Sequence, residues 1–109
     1  MILPEYYFIL SGLMFAGGLF GVLTQRNAIR ILISVEIMLN AANIAAVAFN
    51  GFYYKNSSGG WLTDGWTFVL VVIAIAAAEA AIGLAIFLSV YRNYGEITVS
   101  NIFTLQETQ

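Results

Sequence analysis

The sequence predicts an all-α integral membrane protein with three transmembrane helices, the N-terminus outside and the C-terminus inside. Three observations lead there. Of 109 residues, 61% are hydrophobic and 9% charged, against roughly 25% charged in a soluble domain. The apolar residues gather at about 4–23, 28–50 and 66–91, each near the ~20 residues that a helix needs to cross hydrocarbon. Arg26, Arg30 and Arg92 then fall on one side and Lys55 alone on the other. The positive-inside rule places the first turn and the polar tail, 92–109, in the cytoplasm or its organellar equivalent. The length supports one domain.

The first span opens at Pro4, which suits a first helical turn because its missing N–H costs nothing there. Gly17 and Gly21 form a G-x-x-x-G spacing that lets another helix approach closely. The preceding MILPEYYF has no basic stretch, so the span is read as permanent rather than as a cleaved signal. The turn Thr24–Asn27 follows, and Arg26 and Arg30 serve as inner-loop anchors, on one face of the next helix if it begins that early.

The second span, AIRILISVEIMLNAANIAAVAFN, holds Glu36 about 12 Å from its Ala28 end. At ~100° per residue, Asn40, Asn43 and Asn50 share its face, so one polar stripe runs along an apolar helix. Such a stripe must face protein or water, because an ionised carboxylate in lipid is costly. The loop that follows contains Ser57-Ser58-Gly59-Gly60, a flexible turn, with Phe49, Phe52, Tyr53, Tyr54, Trp61, Trp66 and Phe68 around it. Rings of this kind mark a membrane–water interface. Asn56-Ser57-Ser58 matches a glycosylation acceptor, as three-residue patterns often do by chance.

The third span is about 39 Å long at helical rise, more than ~30 Å of hydrocarbon, so it tilts or projects. Glu79 sits in its middle. Ile75, Ala76, Ile82 and Gly83, three and four residues away, offer it no hydrogen bond. Its partner must come from another helix, another subunit or water.

Cysteine and histidine are absent, which excludes disulfides, thiolate-held iron–sulfur clusters and histidine-held haem or zinc within this chain. A net charge of −2 gives no reason to expect nucleic acid. Burial in low dielectric favours a neutral acid over a carboxylate, and an acid so placed can hold and release a proton. Two at similar depth, with asparagines beside one, suggest a proton pathway of Glu36, Glu79, Asn40 and Asn43. The plainer reading makes each glutamate an inter-helix hydrogen bond. Three helices cannot enclose both, so the chain is expected to be an obligate member of a hetero-oligomer in the bilayer, drawing its energy from elsewhere.

The runs Arg26-Asn27-Ala28, Val35-Glu36-Ile37-Met38-Leu39-Asn40-Ala41-Ala42-Asn43 and Ala76-Ala77-Ala78-Glu79-Ala80-Ala81-Ile82-Gly83-Leu84-Ala85 resemble the subunit K family of NADH–quinone oxidoreductase, respiratory complex I. The resemblance covers all three spans. It departs at Gln25, where the family often has a second arginine, and at Asp64-Gly65-Trp66, where it often has Gly-Gln.

The resemblance implies a membrane-arm subunit packed between antiporter-like and quinone-site-proximal subunits of an energy-transducing membrane. That membrane is a prokaryotic plasma membrane or a thylakoid or organellar inner membrane. Flavin and iron–sulfur clusters are then expected in partner subunits and no cofactor in this chain. The positions matching Glu36 and Glu79 take part in proton pumping driven by quinone or methanophenazine reduction. The alternatives are the small subunit of a multi-subunit cation/proton antiporter and a purely structural membrane subunit. A rotary-ATPase ring subunit fits worse, since it needs a two-helix hairpin with one carboxylate.

Overall fold

The computed structural model describes residues 2–53 and 63–100. They form three long helices: α1 Pro4–Thr24, α2 Ala28–Tyr53 and α3 Thr63–Tyr94. All three are long and apolar enough to cross a membrane. The Ser57–Gly60 turn, the rings of Tyr54 and Trp61, the Asn56 sequon and the last nine residues of the tail lie outside the described residues.

Local chemistry sets the helix ends. Pro4 is the first residue of α1, and Leu3 precedes it in extended conformation. Asn27 starts α2: its Oδ1 accepts hydrogen bonds from the N–H of Ile29 at 3.0 Å and of Arg30 at 3.3 Å. This is the N-cap role that asparagine favours, filling two donors with no partner inside the helix. Arg26 consequently precedes the helix, so the early start that would put it and Arg30 on one helical face is not met. Arg30 instead donates from Nη1 to Gln25 Oε1 at 3.4 Å. α3 stops at Gly95, whose φ of +75° is open to glycine and disfavoured for other residues. At 32 residues α3 is longer than the sequence indicated, about 48 Å at helical rise.

The interior is built from small residues. Ala28, Ala41, Ala48, Val69 and Ala76 are the buried hydrophobics, whereas Leu13, Phe20, Leu23, Phe68 and Leu70 are among the many exposed large ones. Large apolar side chains pointing outward suit lipid or partner helices as surroundings.

α2 is the middle helix, packed closely on α1 and more sparsely on α3. On the α1 side, Gly18 and Gly21 meet Ser34 and Met38, and a Cβ on Gly18 would lie 2.8 Å from the Ser34 carbonyl oxygen. Ser11 Oγ donates to the Ala41 carbonyl at 2.6 Å across the same seam. The close approach is therefore made by Gly18 with Gly21. Gly17, which the G-x-x-x-G spacing singled out, faces open space. Ridge packing of two helices can use i, i+3 rows as well as the commoner i, i+4 rows.

The α2–α3 seam fixes a register. Asn50 fills the space beside Gly65, and Leu32 lies over Gly83. From Asn50 to Leu32 is 18 residues back along α2, and from Gly65 to Gly83 is 18 residues forward along α3. The two helices thus run antiparallel over about five turns without slippage.

Packing at Gly18 yields a test. Gly18→Val drives a side chain against Ser34 backbone and should cost ~1–3 kcal/mol, as overpacking does. The thermal midpoint of the detergent-solubilised assembly should fall, whereas Gly12→Ala, which enters open space within this chain, should shift it less. Equal midpoints for Gly18→Val and wild type would show that the α1–α2 seam is not as close as described.

Candidate functional site

The register decides where the two carboxylates stand. Glu36 is one turn beyond Leu32 along α2, and Glu79 is one turn before Gly83 along α3. Because the helices are antiparallel, both steps go the same way, and Glu36 and Glu79 sit at one level. Residue counting from the helix ends suggested only similar depths. The packed seam brings them to about the same level.

They do not share a side. On α2, Glu36 lies ~40° of helical rotation from Leu32, toward Asn40 and Val47. On α3, Glu79 lies ~40° from Gly83, away from Trp66 and Ile73. Asn40, Val47, Trp66 and Ile73 line one groove of about 520 Å³. Glu36 is thus on the groove side of the α2–α3 pair, and Glu79 is on the opposite side. Between them α3 presents buried Ala76, half-buried Ala80 and Gly83, so no bulky α3 side chain blocks the seam at that level.

Burial is graded along the asparagine positions of α2. Asn50 is buried against Gly65, and Asn43 is 7% exposed. Asn40 is exposed along the groove, and Glu36 is half-buried. Asn43 Nδ2 is a buried donor with no hydrogen-bond acceptor among the described residues. Glu79 is exposed in the single chain. As expected of three helices, the chain alone encloses neither carboxylate: α3 covers the Asn43–Asn50 part of the stripe but neither glutamate fully. Among the described residues, neither Glu36 nor Glu79 has a hydrogen-bond or ion-pair partner. Their partners must be supplied by other chains or by water, because unsatisfied polar groups in hydrocarbon are expensive.

Arg26 and Arg30 are both exposed at the Ala28 end of α2, Arg30 about 9 Å along the helix from the level of Glu36 and Arg26 beyond the helix start. No group of three or more histidine, cysteine, aspartate or glutamate residues is placed to hold a metal ion among the described residues.

Sequence reasoning passed over Ser11 and Ser34, buried polar residues of the α1–α2 seam. Each sits in an apolar helical run, where a lone serine gives little signal until the facing helix is known. It also passed over Asn27 as a cap, although asparagine directly before an apolar helical run is a recognised start signal.

The sequence and the three-helix fold have counterparts among known proteins. The sequence profile of the family described as NADH-ubiquinone/plastoquinone oxidoreductase chain 4L matches residues 6–107. NADH-quinone oxidoreductase subunit K of Anaeromyxobacter dehalogenans (strain 2CP-C) is 46% identical over 103 residues, covering 94% of this chain and 97% of that protein. The subunit K of Deinococcus radiodurans is 47% identical over 106 residues, covering 97% and 96%. The organellar chromatophore NAD(P)H-quinone oxidoreductase subunit 4L of Paulinella chromatophora is 47% identical over 92 residues, 84% of each chain. A chain in the structure of the membrane-bound sulfane sulfur reductase, an archaeal respiratory membrane complex, shares the fold with a TM-score of 0.76. It is 22% identical and covers 86% of this chain and 94% of that one. Three apolar helices and these relatives make the protein a multi-pass component of an energy-transducing membrane. It belongs to the chain 4L, or subunit K, family of NADH–quinone oxidoreductases.

Proposed function

We propose that the chain is a non-redox membrane-arm subunit that passes protons between Glu36 and Glu79, coupling quinone or methanophenazine reduction elsewhere in the complex to proton translocation. The observation that carries the reading is the placement of these carboxylates at one level on opposite sides of the α2–α3 pair. Each side offers its carboxylate to a different neighbour. An antiporter-like subunit on one side and a quinone-site-proximal subunit on the other fit this arrangement. Flavin and iron–sulfur clusters belong to partner subunits in this reading.

The roles divide by chemistry. A carboxyl group both gives up and takes a proton, so Glu36 and Glu79 are the transfer sites. An amide neither gains nor loses a proton at ordinary pH, so Asn40 and Asn43 act by hydrogen bonding. Asn43 lines the groove one turn beyond Asn40 and its buried Nδ2 has no acceptor among the described residues, so it is free to orient one further along the path from Glu36 and Asn40. Ala76, Ala80 and Gly83 keep the seam between the carboxylates thin enough for a water-bridged step.

Glu36→Gln keeps shape and most hydrogen bonding but removes the exchangeable proton. In reconstituted vesicles, normalised to assembled complex, it should lose most proton translocation, and coupled electron transfer should fall with it. Glu36→Asp should be milder. Glu79→Gln should give a comparable or smaller loss. Glu36→Gln combined with Asn40→Glu, which returns a carboxyl to the same side one turn away, should recover part of the activity. A Glu36→Gln complex with the wild-type number of protons per electron pair would remove Glu36 from the pathway and leave only a structural role.

Orientation follows from the arginine bias. With the Arg26 turn and Arg92 inside, cysteines introduced at Ser58 and Gln106 should react with impermeant maleimide from opposite faces of sealed vesicles, Ser58 from outside. Labelling of both from one face would contradict the three-span topology.

A further inference from the structure

Beyond Gly95 the chain folds back onto the start of α2. The Ala28 N–H donates to the Ile97 carbonyl at 2.9 Å, and the Val99 N–H donates to the Arg26 carbonyl at 2.9 Å. Asn27 and Thr98 face each other as an isolated antiparallel bridge between these bonds. Ala28 is 4% exposed there. The Ala28, Ile29 and Arg30 N–H groups, which no helical carbonyl serves, are thus filled by Ile97 and by Asn27 Oδ1. The returning segment is part of how α2 begins.

The clip joins the end of α3 to the start of α2, the helix bearing Glu36. Along the rest of the seam α3 is held against α2 by the Gly65–Asn50 and Gly83–Leu32 contacts, and the clip adds a further fixed point at the Arg26 end. A slip of one residue would move Glu79 by ~1.5 Å and turn it by ~100°. We infer that the Ile97–Val99 segment, clipped to Arg26–Ala28, is a positioning device that fixes α3 against α2 and holds Glu79 level with Glu36 for transfer. The inference rests on the relay reading above.

The chain lacks cysteine, so a redox-controlled version can be built. Asn27 and Thr98 are a non-hydrogen-bonded antiparallel pair, for which Cα atoms are typically about 4.5 Å apart, within disulfide reach. The base variant is Val99→Pro, which removes the N–H that donates to Arg26. In assembled complex reconstituted in vesicles, Val99→Pro should cut protons per electron pair to about half or less, since one backbone bond of the clip is lost. Adding Asn27→Cys and Thr98→Cys should restore the ratio when oxidised and lose it again on reduction of the same sample. A role in assembly alone would not respond to reducing an already assembled complex.

If Val99→Pro does not assemble, Gly95→Ala takes its place. Its Cβ meets nothing within 4 Å, so its penalty comes from the +75° φ alone. A wild-type ratio in the assembled base variant, or no recovery on oxidation, overturns the inference. Glu79→Gln run alongside separates the two claims. If Glu79→Gln pumps normally the relay fails, whereas if it is impaired and the clip variants are not, only the clip fails.

Discussion

A carboxylate in hydrocarbon is the constraint on which the rest of this structure turns. An ionised group at the middle of a membrane helix costs about 3 kcal/mol or more, according to how much water and neighbouring protein reach it. This chain carries two acidic side chains, Glu36 and Glu79, on its apolar helices at about the same level and provides neither with a hydrogen bond or ion pair among its described residues. What it provides is geometry: a helix pair held in antiparallel register, small residues between the carboxylates, and an asparagine stripe leading away from one of them. Satisfaction must come from neighbours, which explains why the chain occurs as a member of a larger membrane complex.

The packing around the carboxylates follows the same logic. Membrane helices gain little from burying apolar surface against one another, because lipid is equally apolar, so close approach and hydrogen bonds hold them. The α1–α2 seam uses Gly18 and Gly21 with the Ser11 bond to the Ala41 carbonyl. The α2–α3 seam uses Gly65, Ala76 and Gly83, where alanine and glycine leave the glutamates unobstructed. The first seam anchors α2, and the second presents its polar side to α3.

Much of this was legible in the sequence. Three apolar runs and the scarcity of charge specified the helices, and a period of 3.6 placed Glu36, Asn40, Asn43 and Asn50 on one side of α2. Both signals are local, and local periodicity reads well from one chain. The features that needed coordinates are all between helices. Gly17 and Gly18 are equivalent in a composition, and only the facing Ser34 and Met38 distinguish them. The register of α3 on α2 depends on Leu32 meeting Gly83, a contact separated by 51 positions that no periodicity reports. The same holds for the sides taken by the glutamates and for the pairing of Val99 with Arg26.

A relay in series makes a claim that two independent carboxylates do not, and a double-substitution cycle on proton translocation reads it directly. Protons per electron pair should be measured in reconstituted vesicles for Glu36→Gln, Glu79→Gln and the doubly substituted complex, each normalised to assembled material. If a proton must visit both residues, removing the second site after the first adds nothing, and the double variant should pump no worse than the poorer single one. Losses that multiply across the two positions, as separate contributions do, would contradict a shared path through Glu36 and Glu79.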